Sequence, residues 1–138
     1  MYKIGITFGS FNPIHFGHIL LFQKIKYNCE YLVVGVDDDD YVKFKGKELF
    51  QNYDIRANIV YELKSVDLVV PQTKIKNKNY WVKKLGCDVI FVGDDHKNTS
   101  WDGETVANYN NICVEYLPHT KYIHSSNLRE IIKGEHNE

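Results

Sequence analysis

Four short apolar runs rich in β-branched residues punctuate the chain: Ile4 to Phe8, Tyr31 to Val36, Asp88 to Val92 and Ile112 to Leu117, with a shorter fifth from Asp67 to Val70. Strands this continuously apolar are buried on both faces, which is the condition of strands in a parallel sheet. Helix-like stretches separate them: Gly17 to Asn28, with Leu21, Phe22 and Ile25 on one side, then Tyr53 to Lys64 and Asn79 to Leu85. Parallel neighbours need crossover connections, and these are right-handed almost without exception. The alternation therefore predicts an α/β chain: a Rossmann-like, doubly wound, mostly parallel five-stranded sheet with helices on both faces, its final strand reached through a loop.

The 138 residues suit one domain spanning 1–138, and 43% hydrophobic residues supply a single core. A formal net charge of -1, from 17 basic and 18 acidic residues, gives no electrostatic reason to expect nucleic acid or an anionic membrane as a partner. Cys29, Cys87 and Cys113 lie far apart without C-x-x-C spacing, so reduced structural thiols are expected rather than a disulfide framework or a zinc site. Met1 to Ile6 enters a strand directly, without the pattern of a secretory signal, and no apolar run reaches membrane-spanning length. A cytoplasmic location is the expectation.

Ligands of doubly wound sheets gather at the carboxyl ends of the strands, so the segments after each strand are where function is sought. The first of them holds Gly9-Ser10-Phe11 and then His15-Phe16-Gly17-His18, at the opening of an amphipathic helix. Two imidazoles three residues apart at a helix start can share one face, with Gly17 admitting a ligand to the backbone and the helix N-terminus attracting phosphate. An isolated H-x-G-H would more simply be a helix cap and a packed histidine. The strand before it, the tight turn and the helix after it favour a phosphate cradle.

From these residues the chain resembles the H-x-G-H nucleotidyltransferase superfamily, and within it the glycerol-3-phosphate cytidylyltransferases. The likeness continues through Tyr31 to Val36, Lys45-Gly46-Lys47, Tyr53 to Arg56, Val66 to Pro71 and Asp88 to Asp95. It implies that His15 and His18 contact the nucleotide phosphates and stabilise the reacting phosphorus, and that Lys45 and Lys47 hold the phosphates of both substrates. Lys45 and Arg56 are implied on the acceptor side. Gly9, Ser10, Phe11, Gly17, His18, Gly93, Asp95, His119, Thr120, Ser125, Ser126 and Arg129 are implied as the nucleotide site. The implied reaction moves CMP from CTP to a small phosphorylated alcohol such as glycerol 3-phosphate, makes a CDP-activated precursor of a surface polymer, and uses Mg²⁺ carried with the triphosphate. Such enzymes are commonly homodimers.

Departures from that pattern leave alternatives open. The stretch His119-Thr120-Lys121-Tyr122-Ile123-His124-Ser125-Ser126 stands where the family reads R-T-E-G-I-S-T-T, and Ile123 to Arg129 resembles the I-S-S-T-x-I-R motif of adenylyltransferases, in which Arg129 would replace the missing arginine. Asn12 stands where cytidylyltransferases usually carry an acid, as in nicotinate-nucleotide adenylyltransferases. ATP is thus the alternative nucleotide, and a catalytically silent nucleotide-binding protein the alternative class. Trp101 either stacks on a ligand or packs on the protein's own surface. Asp37 to Asp40 reads as a solvated turn or helix cap rather than a metal site.

Overall fold

The computed structural model describes residues 1–98 and 101–118. Its strands are β1 (Tyr2–Gly9), β2 (Cys29–Asp37), β3 (Leu68–Gln72), β4 (Val89–Gly93) and β5 (Cys113–Leu117). They form one sheet in the order β3-β2-β1-β4-β5, and every pair is parallel. The expected "mostly parallel" sheet is therefore wholly parallel over these residues.

The helices are α1 (Phe16–Asn28), α2 (Asp39–Phe44), α3 (Tyr53–Tyr61), α4 (Lys78–Leu85) and α5 (Gly103–Asn110). Alternate strand residues feed opposite faces. Leu32, Val34, Val36, Val89 and Phe91 pack with Phe22 and Ile25 of α1 and Val60 of α3. Ile6, Val33, Val70 and Ile90 pack with Val82 of α4 and Ala107 of α5 on the other side. Local chemistry sets the helix starts: His15, Asp38, Asn52 and Asn77 each cap a helix by accepting a backbone N–H.

Two helices differ from the sequence reading. α2 lies in the acidic stretch after β2, where Asp38 accepts from Tyr41 N at 2.7 Å. α5 is the crossover that joins parallel β4 and β5, where a loop was expected. Its sequence is polar, and only Gly103 and Ala107 are buried along it, so no apolar stripe advertised it.

The sheet order places a topological switch point between β1 and β4, whose following connections leave toward opposite faces. A crevice opens there, beyond the carboxyl ends of the two strands.

Candidate active site

The crevice is a cleft of about 890 Å³, within the usual range for small-molecule sites, and His15, Gly17 and His18 line it together with residues from the ends of β1 and β4. The turn after β1 is tight. Phe11 adopts φ 51°, uncommon for a bulky residue, and is held there by burial and edge contacts with Phe22 and His18, at 5.3 and 5.0 Å between centroids. Gly9 is required beside it, because a Cβ at that position would lie 2.8 Å from Phe11 Cζ.

Both histidines have their tautomer set by the backbone. His15 Nδ1 accepts from Gly17 N at 3.0 Å, and His18 Nδ1 accepts from His15 N at 3.0 Å, forming a reciprocal capping box at the start of α1. A neutral imidazole whose Nδ1 accepts carries its proton on Nε2. The rings stack with centroids 3.8 Å apart, so the two Nε2–H donors stand side by side at the positive end of a helix. Burial, and then the neighbouring His15, lower the pKa of His18 from 6.5 to about 4. The pair therefore offers His18 as a neutral donor at pH 7.

A stability consequence follows from that depression. Between pH 6.5 and about 4 the unfolded chain binds a proton at His18 that the folded chain does not, so this site withdraws stability as pH falls through that window. Tm should drop further between pH 7 and pH 4 in the native protein than in His18→Asn. Equal losses in the two would show that His18 does not titrate this way.

Of the sequence-predicted residues, Gly9, Ser10, Phe11, His15, Gly17, His18, Lys47, Gly93 and Asp95 all line the cleft. Gly93 lets Asp95 fold back closely, since a Cβ there would sit 2.7 Å from Asp95 Oδ1. His119, Thr120, Ser125, Ser126 and Arg129 lie outside the described residues. One expectation is corrected. The Arg56 side chain has no exposed surface, and its donors go to Gln51 O, Ser10 O, Asp37 O and Asp39 Oδ1 at 2.6–2.8 Å, so it clamps the strand ends instead of facing an acceptor. Lys45 stands beside the cleft, its ammonium 2.7 Å from the buried Asp37 carboxylate and 3.4 Å from the hydroxyl of cleft-lining Ser10.

Sequence reasoning missed what Asn12 does. Its amide donates to Glu48 O at 2.6 Å and accepts from Phe50 N and Gln51 N at 2.8 and 3.2 Å, tying the β1 turn to the segment that carries Lys47, Glu48 and Phe50 into the cleft. An acid at this position could accept those two bonds but not donate the third. Trp101 packs on the protein: its Nε1 donates to the Tyr116 hydroxyl at 3.2 Å, and Tyr116 in turn donates to Glu104. Of the aspartate run, Asp38 caps α2, Asp37 binds Ser10 and Lys45, and Asp39 binds Arg56. Among the described residues no group of three or more His, Cys, Asp or Glu is arranged to hold a metal ion. None of the described helices is long and apolar enough to cross a membrane.

A wholly parallel Rossmann-like sheet with paired imidazole donors opening the first helix at its switch point defines a nucleotidyltransferase of the α/β class. The family model described as cytidylyltransferase-like matches residues 6–131, and the chain belongs to that family. It is 32% identical to the glycerol-3-phosphate cytidylyltransferase of Bacillus subtilis, over 94% of this chain and 96% of that protein. It is 29% identical to the enzyme of the same name from Staphylococcus aureus, over 94% of both. Among solved structures it is similar to a lipopolysaccharide core biosynthesis protein from Thermoplasma volcanium, with a TM-score of 0.72 and 25% identity over 88% of this chain and 99% of that one.

Proposed function

We propose that the protein transfers CMP from CTP to a small phosphorylated alcohol, glycerol 3-phosphate or a close analogue, with release of pyrophosphate. The observation that carries the chemistry is the pair of Nε2–H donors at the switch point, and the likeness to glycerol-3-phosphate cytidylyltransferases along nearly the whole chain supports the choice of substrates. The reaction needs no protein nucleophile. An acceptor phosphate oxygen forms a bond to the α-phosphorus while the bond to the α–β bridging oxygen breaks, and the electron pair leaves with pyrophosphate. His15 and His18 donate to the oxygens on which charge grows, and Lys47 adds a positive charge in the same cleft.

The charged lining also fits a divalent cation. Apart from its histidines, Lys47 is the cationic side chain among the described residues that line the cleft, against the carboxylates of Glu48 and Asp95. Mg²⁺ favours one or two carboxylates with water and substrate phosphates over a dedicated protein cage. Asp95 and Glu48 would hold it, and bound there it would neutralise triphosphate charge. The reading places the enzyme in the cytoplasm as a homodimer, supported by its free cysteines and by the exposed rings of Tyr27, Tyr31 and Tyr61.

The test is pyrophosphate release with Mg²⁺ from CTP and separately from ATP, against glycerol 3-phosphate, other polyol phosphates, phosphocholine, phosphoethanolamine and nicotinate mononucleotide. Turnover with CTP and a polyol phosphate is expected. Turnover only with ATP would transfer the reading to the adenylyltransferases, and nucleotide binding without product would make the protein a silent binder.

A further inference from the structure

We infer that Asp37 is a positioning residue of the phosphate site: its buried carboxylate holds the Lys45 ammonium and the Ser10 hydroxyl at the wall of the cleft, where Lys45 meets substrate phosphate. This rests on the nucleotidyltransferase reading above and adds a residue to its machinery. Gly9 and Val36 are register partners on β1 and β2, so Asp37, the last residue of β2, lies beside the turn that carries Ser10. Its side chain is 1% exposed, and Oδ2 accepts from both Ser10 Oγ and Lys45 Nζ at 2.7 Å. The ammonium also lies 3.4 Å from Ser10 Oγ and 5.5 Å from the centre of the Tyr41 ring. An ammonium carries three N–H donors. Asp37 takes one and Ser10 the second, which leaves the third, on a side chain 33% exposed, for a phosphate oxygen at the cleft.

Stability does not explain this carboxylate. Asp37 Oδ1 is buried without a hydrogen-bond partner, and so is Oε1 of Gln72, its register partner on β3. Side chains of register partners stand on the same face of a sheet, so the ends of β2 and β3 bring together two buried acceptors, each without a donor. Arg56 does not compensate the charge, since it reaches the Asp37 carbonyl and sends its carboxylate-directed donor to Asp39. A buried charge served this incompletely costs a fold stability, and such violations collect at functional sites. What Asp37 supplies is order. A lysine side chain left in solvent samples many rotamers and gives them up on binding phosphate, whereas Lys45 is held beforehand. The same negative charge lies close to the bound phosphate, so it weakens the hold on substrate in the ground state while fixing the geometry of transfer.

Asp37→Asn keeps the shape of the side chain and an oxygen for Lys45 and Ser10, and removes the charge. It should hold Tm at or above that of the native protein, bind CTP with Mg²⁺ more tightly in calorimetry, and lower kcat for pyrophosphate release with glycerol 3-phosphate about ten- to a hundredfold. Lys45→Met should lower Tm by stranding the carboxylate and lose on the order of a hundredfold or more in kcat/KM. Asp37→Asn/Lys45→Met should regain Tm but not turnover, because Lys45 itself meets the phosphate. Native kcat in Asp37→Asn would overturn the inference, and so would a fall in its Tm with unchanged affinity for CTP, the mark of a merely structural acid. A native protein that binds CTP without turning over glycerol 3-phosphate would count against the acceptor alone, since the order of CTP affinities and Tm values still decides for or against Asp37. A native protein that binds neither CTP nor ATP would overturn the nucleotidyltransferase reading, and this inference with it.

Discussion

His15→Asn should lower kcat by about 10²–10³-fold while leaving Tm within a few degrees of the native protein, the size expected for removing one oriented donor from a reacting oxyanion. Asparagine places its amide oxygen close to where the imidazole carries Nδ1, so it can still accept from Gly17 N, and it is among the best residues at a helix N-cap. What it removes is the Nε2–H. His18→Asn should behave alike, because its amide oxygen can accept from His15 N as Nδ1 does now. Glutamine reaches toward the Nε2 position but abandons the cap, so His15→Gln should show the opposite balance, with more loss of Tm and less of kcat. Since the stacked rings serve the same developing charge, the double asparagine variant should lose less than the product of the single losses. Near-normal kcat in both single variants would remove the histidines from the reaction. Loss of Tm in step with kcat would reduce them to helix caps.

What the sequence disclosed and what it concealed follow one physical line. Runs such as Leu32-Val33-Val34 advertise a buried strand because both faces must be apolar, and parallel pairing of such strands then dictates crossovers. α5 stayed hidden because it covers the sheet with little more than Gly103 and Ala107. The histidine motif was legible because spacing at a helix start fixes orientation. Lys45 and Lys47 look alike in the sequence, and the fold adds that the chain turns at Gly46 between them and that Lys45 lies on a buried carboxylate. The signal for that was present in Asp37, an acid at the end of an apolar strand, but it was masked by the three aspartates that follow. Asn12 was noticed as a missing charge when its use is as a three-bonded amide. The altered last motif, His119 to Ser126, and Arg129 with it, lies outside the described residues.

Arg56 gives the largest expected effect on stability, and it shows why a basic residue near a phosphate site is easily misassigned. At the start of a polar helix it reads as a cation facing solvent or substrate. In the fold its side chain has no exposed surface, and it joins the turn after β1 through Ser10 O, the end of β2 through Asp37 O, the start of α2 through Asp39, and the segment before α3 through Gln51 O. Those elements carry Ser10, Lys45 and Lys47, so the guanidinium fixes the distances between the walls of the cleft. Arg56→Met removes every one of these donors, leaves the buried carbonyls of Ser10 and Asp37 and the half-buried carbonyl of Gln51 short of a partner, and frees Asp39. The loss should be about 3–5 kcal/mol, summed over carbonyls left unsatisfied at about 1–3 kcal/mol each, and should lower Tm by more than about 10 °C. Arg56→Lys should recover only a fraction, because one ammonium cannot span four acceptors in a plane. An acceptor-binding arginine would behave otherwise: both variants would melt near the native temperature, and KM for glycerol 3-phosphate would rise with little change in KM for CTP. Melting curves and the two KM values, measured on the same preparations, separate a clamp from a ligand.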